Sequence, residues 1–193
     1  MKELSLNILD IVQNSLRAKA GEISIEIDES IINDHYQIII KDNGSGIPKD
    51  LLRNITDPFV TTRTKRKMGL GLSLLKYHAE LTGGGMEIKS EIGSGTVVKT
   101  NFSFSHIDRQ PLGDIVSIIV ILMASNPAID FIYSHTTDNG YYRFSSKETK
   151  EFLEVDTLNE RNLLEDLGWM IGENIKEIKA SGFILKERNM AIL

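Results

Sequence analysis

Asp42-Asn43-Gly44-Ser45-Gly46 and Gly69-Leu70-Gly71-Leu72 are two glycine-punctuated segments whose residue types suit chemistry as well as structure. In the first, a carboxylate ends an alternating apolar stretch and enters a turn-forming run that continues through Ile47-Pro48. In the second, glycines open a helical pattern, where backbone N–H groups at the positive helix end can approach a phosphate. Arg63, Lys65, Arg66 and Lys67 stand just before it. Upstream, Asn7, Asp10, Asn14 and Arg17 are spaced three, four and three apart, which gathers them into one polar stripe on a helix. Taken singly, these features equally describe a tight turn, a basic solvated loop and a solvated helix face. The chain has no Gly-x-x-x-x-Gly-Lys-Ser/Thr and no Gly-x-Gly-x-x-Gly after a strand, so the P-loop and dinucleotide-binding readings fail.

The elements that must position these residues are legible in the hydrophobic pattern. Leu4, Ile8, Ile11, Val12 and Leu16 give residues 4–18 one buried helical face. Ile23, Ile25 and Ile27 alternate with polar residues as a half-buried strand, and Tyr36–Lys41 reads as a second strand running into Asp42. Residues 49–55 suit a short helix and 69–81 a longer one, ended by Gly83-Gly84-Gly85. Residues 86–90 and 96–104 read as a hairpin around Gly93-Ser94-Gly95. Pro111 suits the first turn of an apolar helix reaching about Ala124. A second hairpin pairs 129–136 with 141–145, where Asn139-Gly140 predicts a tight turn with positive φ. Thr157-x-x-Glu160 predicts a capping box opening a helix whose Leu164, Leu167, Ile171, Ile175 and Ile178 face a core.

Composition bounds the function. The 193 residues are 41% hydrophobic and 25% charged, ordinary globular proportions. A net charge of −5 argues against a general nucleic-acid binder. Residues 1–106 hold thirteen basic and thirteen acidic residues, whereas 107–193 hold nine and fourteen, so the whole imbalance lies in the second segment. The absence of cysteine excludes disulfides, thiolate-bound zinc and a thiol nucleophile. The N-terminus lacks the apolar run of a signal peptide, and Ile115–Ala124 is too short to span a bilayer. A cytoplasmic protein with no membrane or nucleic-acid partner is expected.

The order of the motifs is what is specific. A polar-striped helix with Asn14 is followed by a strand, then Asp42-x-Gly44-x-Gly46, then Asp57-Pro58-Phe59-Val60-Thr61-Thr62, the basic loop, Gly69-Leu70-Gly71-Leu72 and Gly95-Thr96. Over about residues 4–104 this resembles the GHKL superfamily, the ATP-binding domain shared by histidine kinases, DNA gyrase, mismatch-repair ATPases and heat-shock chaperones. Asn14 falls in its N box, Asp42 to Gly46 in the G1 box with Ile47 beside it, Phe59 in the F box, Gly69 to Leu72 in the G2 box, and Thr96 at the last box. Pro58 to Thr62, followed closely by Gly-Leu-Gly-Leu, looks like the histidine-kinase and anti-sigma serine-kinase branch. The resemblance implies a Bergerat-type α+β fold for residues 1–106, a two-layer sandwich with helices on one face of a mixed sheet. Residues 107–193 then form a small α+β extension, regulatory or partner-binding.

The resemblance implies ATP and Mg²⁺, and the residues suit both. Asp42 can accept a hydrogen bond from the exocyclic amine of adenine, where guanine offers a carbonyl oxygen. Gly44 and Gly46 free the backbone to wrap the base, and Thr96 can hold the same edge. Asn14 offers a neutral oxygen to Mg²⁺, an ion that takes few protein ligands. Arg17, Lys65 and Lys67 stand where a triphosphate is expected, along with Gly69, Leu70, Gly71 and Leu72 at the helix entry. Asp10 occupies the position at which GHKL hydrolases carry a glutamate that activates the nucleophile. Being one methylene shorter, it is either the catalytic base or a residue orienting Asn14 through metal-bound water.

Four histidines are present. His106-Ile107-Asp108-Arg109-Gln110-Pro111 imitates a phosphoacceptor motif but follows a strand and reads as a linker, while His78 reads as structural. The resemblance therefore implies a stand-alone kinase transferring the γ-phosphate of Mg-ATP to a histidine or serine of a partner protein. An ATP-gated regulator of anti-sigma type, or a slow ATPase, is the alternative. Gly168 and Gly172 stand four apart, which suits either a homodimer or packing within the chain.

Overall fold

The computed structural model describes residues 3–52, 55 and 70–183. Helix α1 (Leu4–Arg17) is followed by β1 (Glu22–Ser30), β2 (His35–Asp42), the short α2 (Lys49–Leu52), α3 (Leu70–Leu81), β3 (Gly85–Glu91) and β4 (Gly95–Ser103). The second segment contributes α4 (Ile115–Ser125), β5 (Asp130–Thr137), β6 (Gly140–Ser145), α5 (Ser146–Leu153) and α6 (Arg161–Glu177). The six strands form one mixed sheet in the order β3-β4-β2-β1-β5-β6, antiparallel except where β5 runs parallel to β1.

Alternation decides which face is covered. Ile23, Ile25 and Ile27 on β1, Tyr36, Ile38 and Ile40 on β2, and Phe131 and Tyr133 on β5 are buried on one side. Their neighbours Ser24, Glu26, Gln37, Lys41 and Ser134 stay partly exposed on the other. Helices cover the apolar side in register with the strands: α3 over β3 and β4, α1 over β2, α4 over β5, α6 over β6. Each isoleucine sealed there contributes about 2 kcal/mol of burial. One hydrophobic cluster runs from Leu4 and Leu75 to Leu167 and Ile175, so strands of the second segment extend the sheet of the first.

Three local expectations change. Helix α4 begins at Ile115, with Asp114 accepting the Ser117 N–H at 3.0 Å, rather than at Pro111. The Pro111 and Leu112 carbonyls are spent on the opening N–H groups of α1, at Leu4 and Ser5. The capping box at Thr157 does not form, because Leu158 is drawn into the core and α6 starts at Arg161. Thr157 bonds the Asn159 side chain instead. At the β5–β6 turn neither Asn139 nor Gly140 has positive φ. The Asp138 carboxylate there is pulled toward Ser30 Oγ and the N–H groups of Ile31 and Ile32, stapling two turns together.

Candidate functional site

Strand register aligns three polar side chains. Asp42, the last residue of β2, pairs with Thr96 on β4, and Thr96 pairs with Ser90 on β3. All three lie on the helix-covered face, continuing the Ile40, Val98 and Ile88 row by the period of two. Helix α1 ends beside this row. Its Ser15, almost fully buried, donates to Asp42 Oδ2 at 2.6 Å, while the Gly44 N–H donates to Asp42 Oδ1 at 2.9 Å. Each carboxylate oxygen therefore has one protein donor and keeps acceptor capacity for a ligand.

The loop after Asp42 is tied on both sides. Ser45 N–H bonds the Ala18 carbonyl at the end of α1, and the Ile47 N–H bonds Ser90 Oγ at 2.9 Å. Asn43 Oδ1 accepts from the N–H groups of Gly21 and Glu22, fixing the entry to β1. Two glycines permit the close approach. Gly46 has φ +71° and Gly95 has φ +96°, and a Cβ on either would collide with a carbonyl oxygen, of Glu91 and Asp42 respectively. Gly44 packs on Ala18, so the loop, α1 and the β3–β4 hairpin meet around the Asp42 carboxylate.

The polar stripe of α1 divides by depth. Asn7 is fully buried and bonds Gln110 Oε1 and the Glu3 carbonyl, a structural role at the far end of the helix. Asp10 faces the first turn of α3, where a Cβ on Gly71 would stand 3.0 Å from its Oδ2. Asn14 Oδ1 accepts from Arg17 Nη1 at 2.8 Å, on the exposed last turn. One lone pair of that amide oxygen remains, a hard neutral donor of the kind Mg²⁺ accepts. Leu70 opens α3 and Leu72 packs against the core. Arg63, Lys65, Arg66, Lys67, Phe59 and Gly69 lie outside the described residues.

Residues 2–106 match the family described as histidine kinase-, DNA gyrase B-, and HSP90-like ATPase. The chain belongs to this family. Relatives of this ATPase-family domain include an NtrY-like protein of Rickettsia conorii named as a sensor histidine kinase, 28% identical over 109 residues. That match covers 56% of this chain and 18% of the relative. A sensor protein of Shewanella frigidimarina is 33% identical over 109 residues, covering 55% and 17%. SrrB, a sensor protein of Staphylococcus aureus, is 36% identical over 103 residues, covering 50% and 17%. The chain thus spans less than a fifth of the length of the curated relatives it matches. The solved N-terminal domain of a DNA repair protein shares the fold at TM-score 0.51 and 18% identity, covering 76% of this chain and 52% of that one. Family membership gives the domain an ATP-binding site of the kinase and ATPase superfamily.

Sequence reasoning missed Ser15, Ser90 and Asn43. Ser15 follows Asn14 but turns to the buried face, and a serine among apolar positions carries no signal of its own. Ser90 was recoverable: once Gly93-Ser94-Gly95 centres the hairpin, position 90 falls opposite 96.

None of the four histidines is placed as a free helical acceptor. His135 is fully buried between Tyr133 Oη, at 2.7 Å, and Glu29. His35 pairs with Asp28, and His78 on α3 sits beside Gln110, its pKa lowered by burial. His106 lies in a turn whose Arg109 stacks on Tyr36 and Phe104, so its motif-like neighbours are structural. Among the described residues no helix is long and apolar enough to cross a membrane.

Proposed function

We propose that this domain binds Mg-ATP and passes the γ-phosphoryl group to a histidine or serine of a partner protein, in the ATP-containing cytoplasm. The observation that carries the reading is the doubly held Asp42 carboxylate, an acceptor at the sheet end beside the last turns of α1. In this reading Asp42 and Thr96 hold the adenine edge, with Gly44, Gly46 and Ile47 shaping the loop around the base. Phe59, Lys65, Lys67, Gly69, Leu70, Gly71 and Leu72 complete the nucleotide site. Asn14 would hold Mg²⁺, which would supply charge neutralisation at the phosphates.

Arg17, engaged with Asn14 on the last turn of α1, offers a cation to the phosphates in this reading. Asp10 faces the helix entry beside Gly71, where it accepts the proton of the attacking group or orients it. The acceptor atom gains the bond to phosphorus, the bond to the bridging oxygen of ADP breaks, and the acceptor's proton leaves to base or water. Residues 1–106 carry the nucleotide site and 107–193 carry regulation or partner contact, a division of function across one shared core. The sequestered or structurally engaged state of His35, His78, His106 and His135 favours an acceptor on a partner.

The test is incubation with ATP labelled at the γ-phosphate and extract of the native cell. Transfer of label to a second protein is expected, acid-labile on histidine and acid-stable on serine. ATP binding without labelled protein would refute the kinase reading and leave an ATP-gated regulator or slow ATPase.

A further inference from the structure

Helix α4 is apolar on every side. Its 11 residues carry no charge, and only Ser117 and Ser125 are polar. A helix of that composition belongs where it is covered all round. The fold covers most of it. Ile115, Ile119, Leu122 and Met123 are buried in the core, and Val116 and Val120 face α6, where Gly168 lets the two helices close up.

The outer side is left to solvent. Ile121 on α4 is 51% exposed, Leu6 on α1 40% and Trp169 on α6 47%. Each stands two residues from buried positions on both sides: Ile119 and Met123, Leu4 and Ile8, Leu167 and Ile171. A step of two carries a helix to its opposite side, so all three point away from the core. Helices α1 and α6 pack on α4, and the partly buried Leu9 and Val120 lie between the exposed side chains. Three helices thus present one apolar strip, with the anchor type most typical of protein interfaces, a tryptophan, at one end.

The border of the strip is acidic. Helix α6 carries Glu165, Asp166, Glu173 and Glu177 against Arg161 and Lys176. The first three acids lie three or four residues from Trp169, which makes them its neighbours on the helix surface. The whole net charge of −5 also belongs to residues 107–193. A second copy seated here would set these acids against their own kind, and an anionic lipid surface would be repelled. A basic border on the occupant is what the charges fit.

We propose that the α1–α4–α6 strip is a docking surface for an amphipathic helix of a partner protein, whose apolar stripe is bordered by lysine or arginine. The apolar stripe covers Leu6, Ile121 and Trp169, and the basic border meets the acids of α6. This deepens the assignment of partner contact to residues 107–193 and rests on that assignment, while it is independent of the nucleotide site.

Trp169 is the single tryptophan of the chain, so its fluorescence reports on this surface. The experiment titrates the full chain with two tryptophan-free helical peptides of equal length and identical leucine stripe, one with lysines on its polar face and one with glutamates. The lysine peptide should shift Trp169 emission to shorter wavelength with saturation, and the glutamate peptide should leave it unchanged. Ile121→Glu, a change at an exposed position, should weaken binding of the lysine peptide by at least about tenfold, as loss of a central interface contact does. Thermal melts establish that the variant is folded, and Leu6→Glu replaces it should it not be. No shift with the lysine peptide, equal shifts with both peptides, or an unchanged affinity in the folded variant overturns the proposal. So does a dimer of the wild-type chain in sedimentation that Ile121→Glu converts to monomer, which would make the occupant a second copy. The titration contains no ATP, so its failure is distinct from that of the nucleotide reading, which falls if Asp42→Asn leaves ATP affinity unchanged.

Discussion

Ser15 Oγ donates a 2.6 Å hydrogen bond to Oδ2 of Asp42, joining α1 to the end of β2 across 27 positions of chain. The bond does two things. It satisfies a mostly buried hydroxyl, and it sets the plane of the carboxylate to which the proposed adenine contact is assigned. A charge-assisted bond of this kind is worth about 2 kcal/mol.

Ser15→Ala should therefore weaken ATP binding by about tenfold while leaving it detectable, since Gly44 still holds the other oxygen. Calorimetric titration with ATP checks this. Unchanged affinity would mean that the carboxylate does not need the helix to orient it.

Asp10→Ala should leave ATP affinity nearly intact and reduce labelled transfer by about a hundredfold, the usual weight of a general base. Paired binding and transfer measurements separate the two. A matched loss of both would make Asp10 a support for the α3 entry beside Gly71 instead.

Gly95→Ala should destabilise the fold by at least about 2 kcal/mol, because a side chain there meets both the strain of φ +96° and the Asp42 carbonyl. Denaturant melts of the variant give the number. The same change at Gly85, where a Cβ has open space, should be far milder.

Asp138 is held below its ordinary carboxylate value of 3.8 by Ser30 and by the N–H groups of Ile32 and Ile31. The folded state thus favours the ionised form. Its contribution is present above the unfolded value and is lost as pH falls through the lower folded one. Asp138→Asn should lower the melting temperature modestly at neutral pH, and the gap to wild type should close in strong acid. A gap independent of pH would remove the carboxylate's charge from the account.

Gly168 faces α4, where a Cβ would stand 3.1 Å from Val120 Cγ2. Packing inside the chain thus accounts for this glycine without a dimer. Gly168→Ala should cost about 1 kcal/mol through crowding and leave the oligomeric state unchanged in sedimentation.

Most of the scaffold was determined by sequence pattern alone. Alternating isoleucines in β1 and β2 and the apolar spacing in α1 each bury one face whatever their partners, so element type follows from local periodicity. The order of Asn14, Asp42, Gly46, Gly71 and Thr96 likewise carried the family, because glycines and carboxylates at turns are required by local backbone geometry. What tertiary structure decided is pairing. The parallel union of β5 with β1 merges the acidic second segment into the first segment's sheet, and no local pattern names a strand's neighbour. Ser15 and Ser90 became part of the site only through register and helix placement, because a small hydroxyl is indistinguishable in sequence from a tolerated core or turn residue. The start of α4 moved from Pro111 to Ile115 for the same reason: the Pro111 and Leu112 carbonyls were needed by α1, a demand made more than 100 residues away.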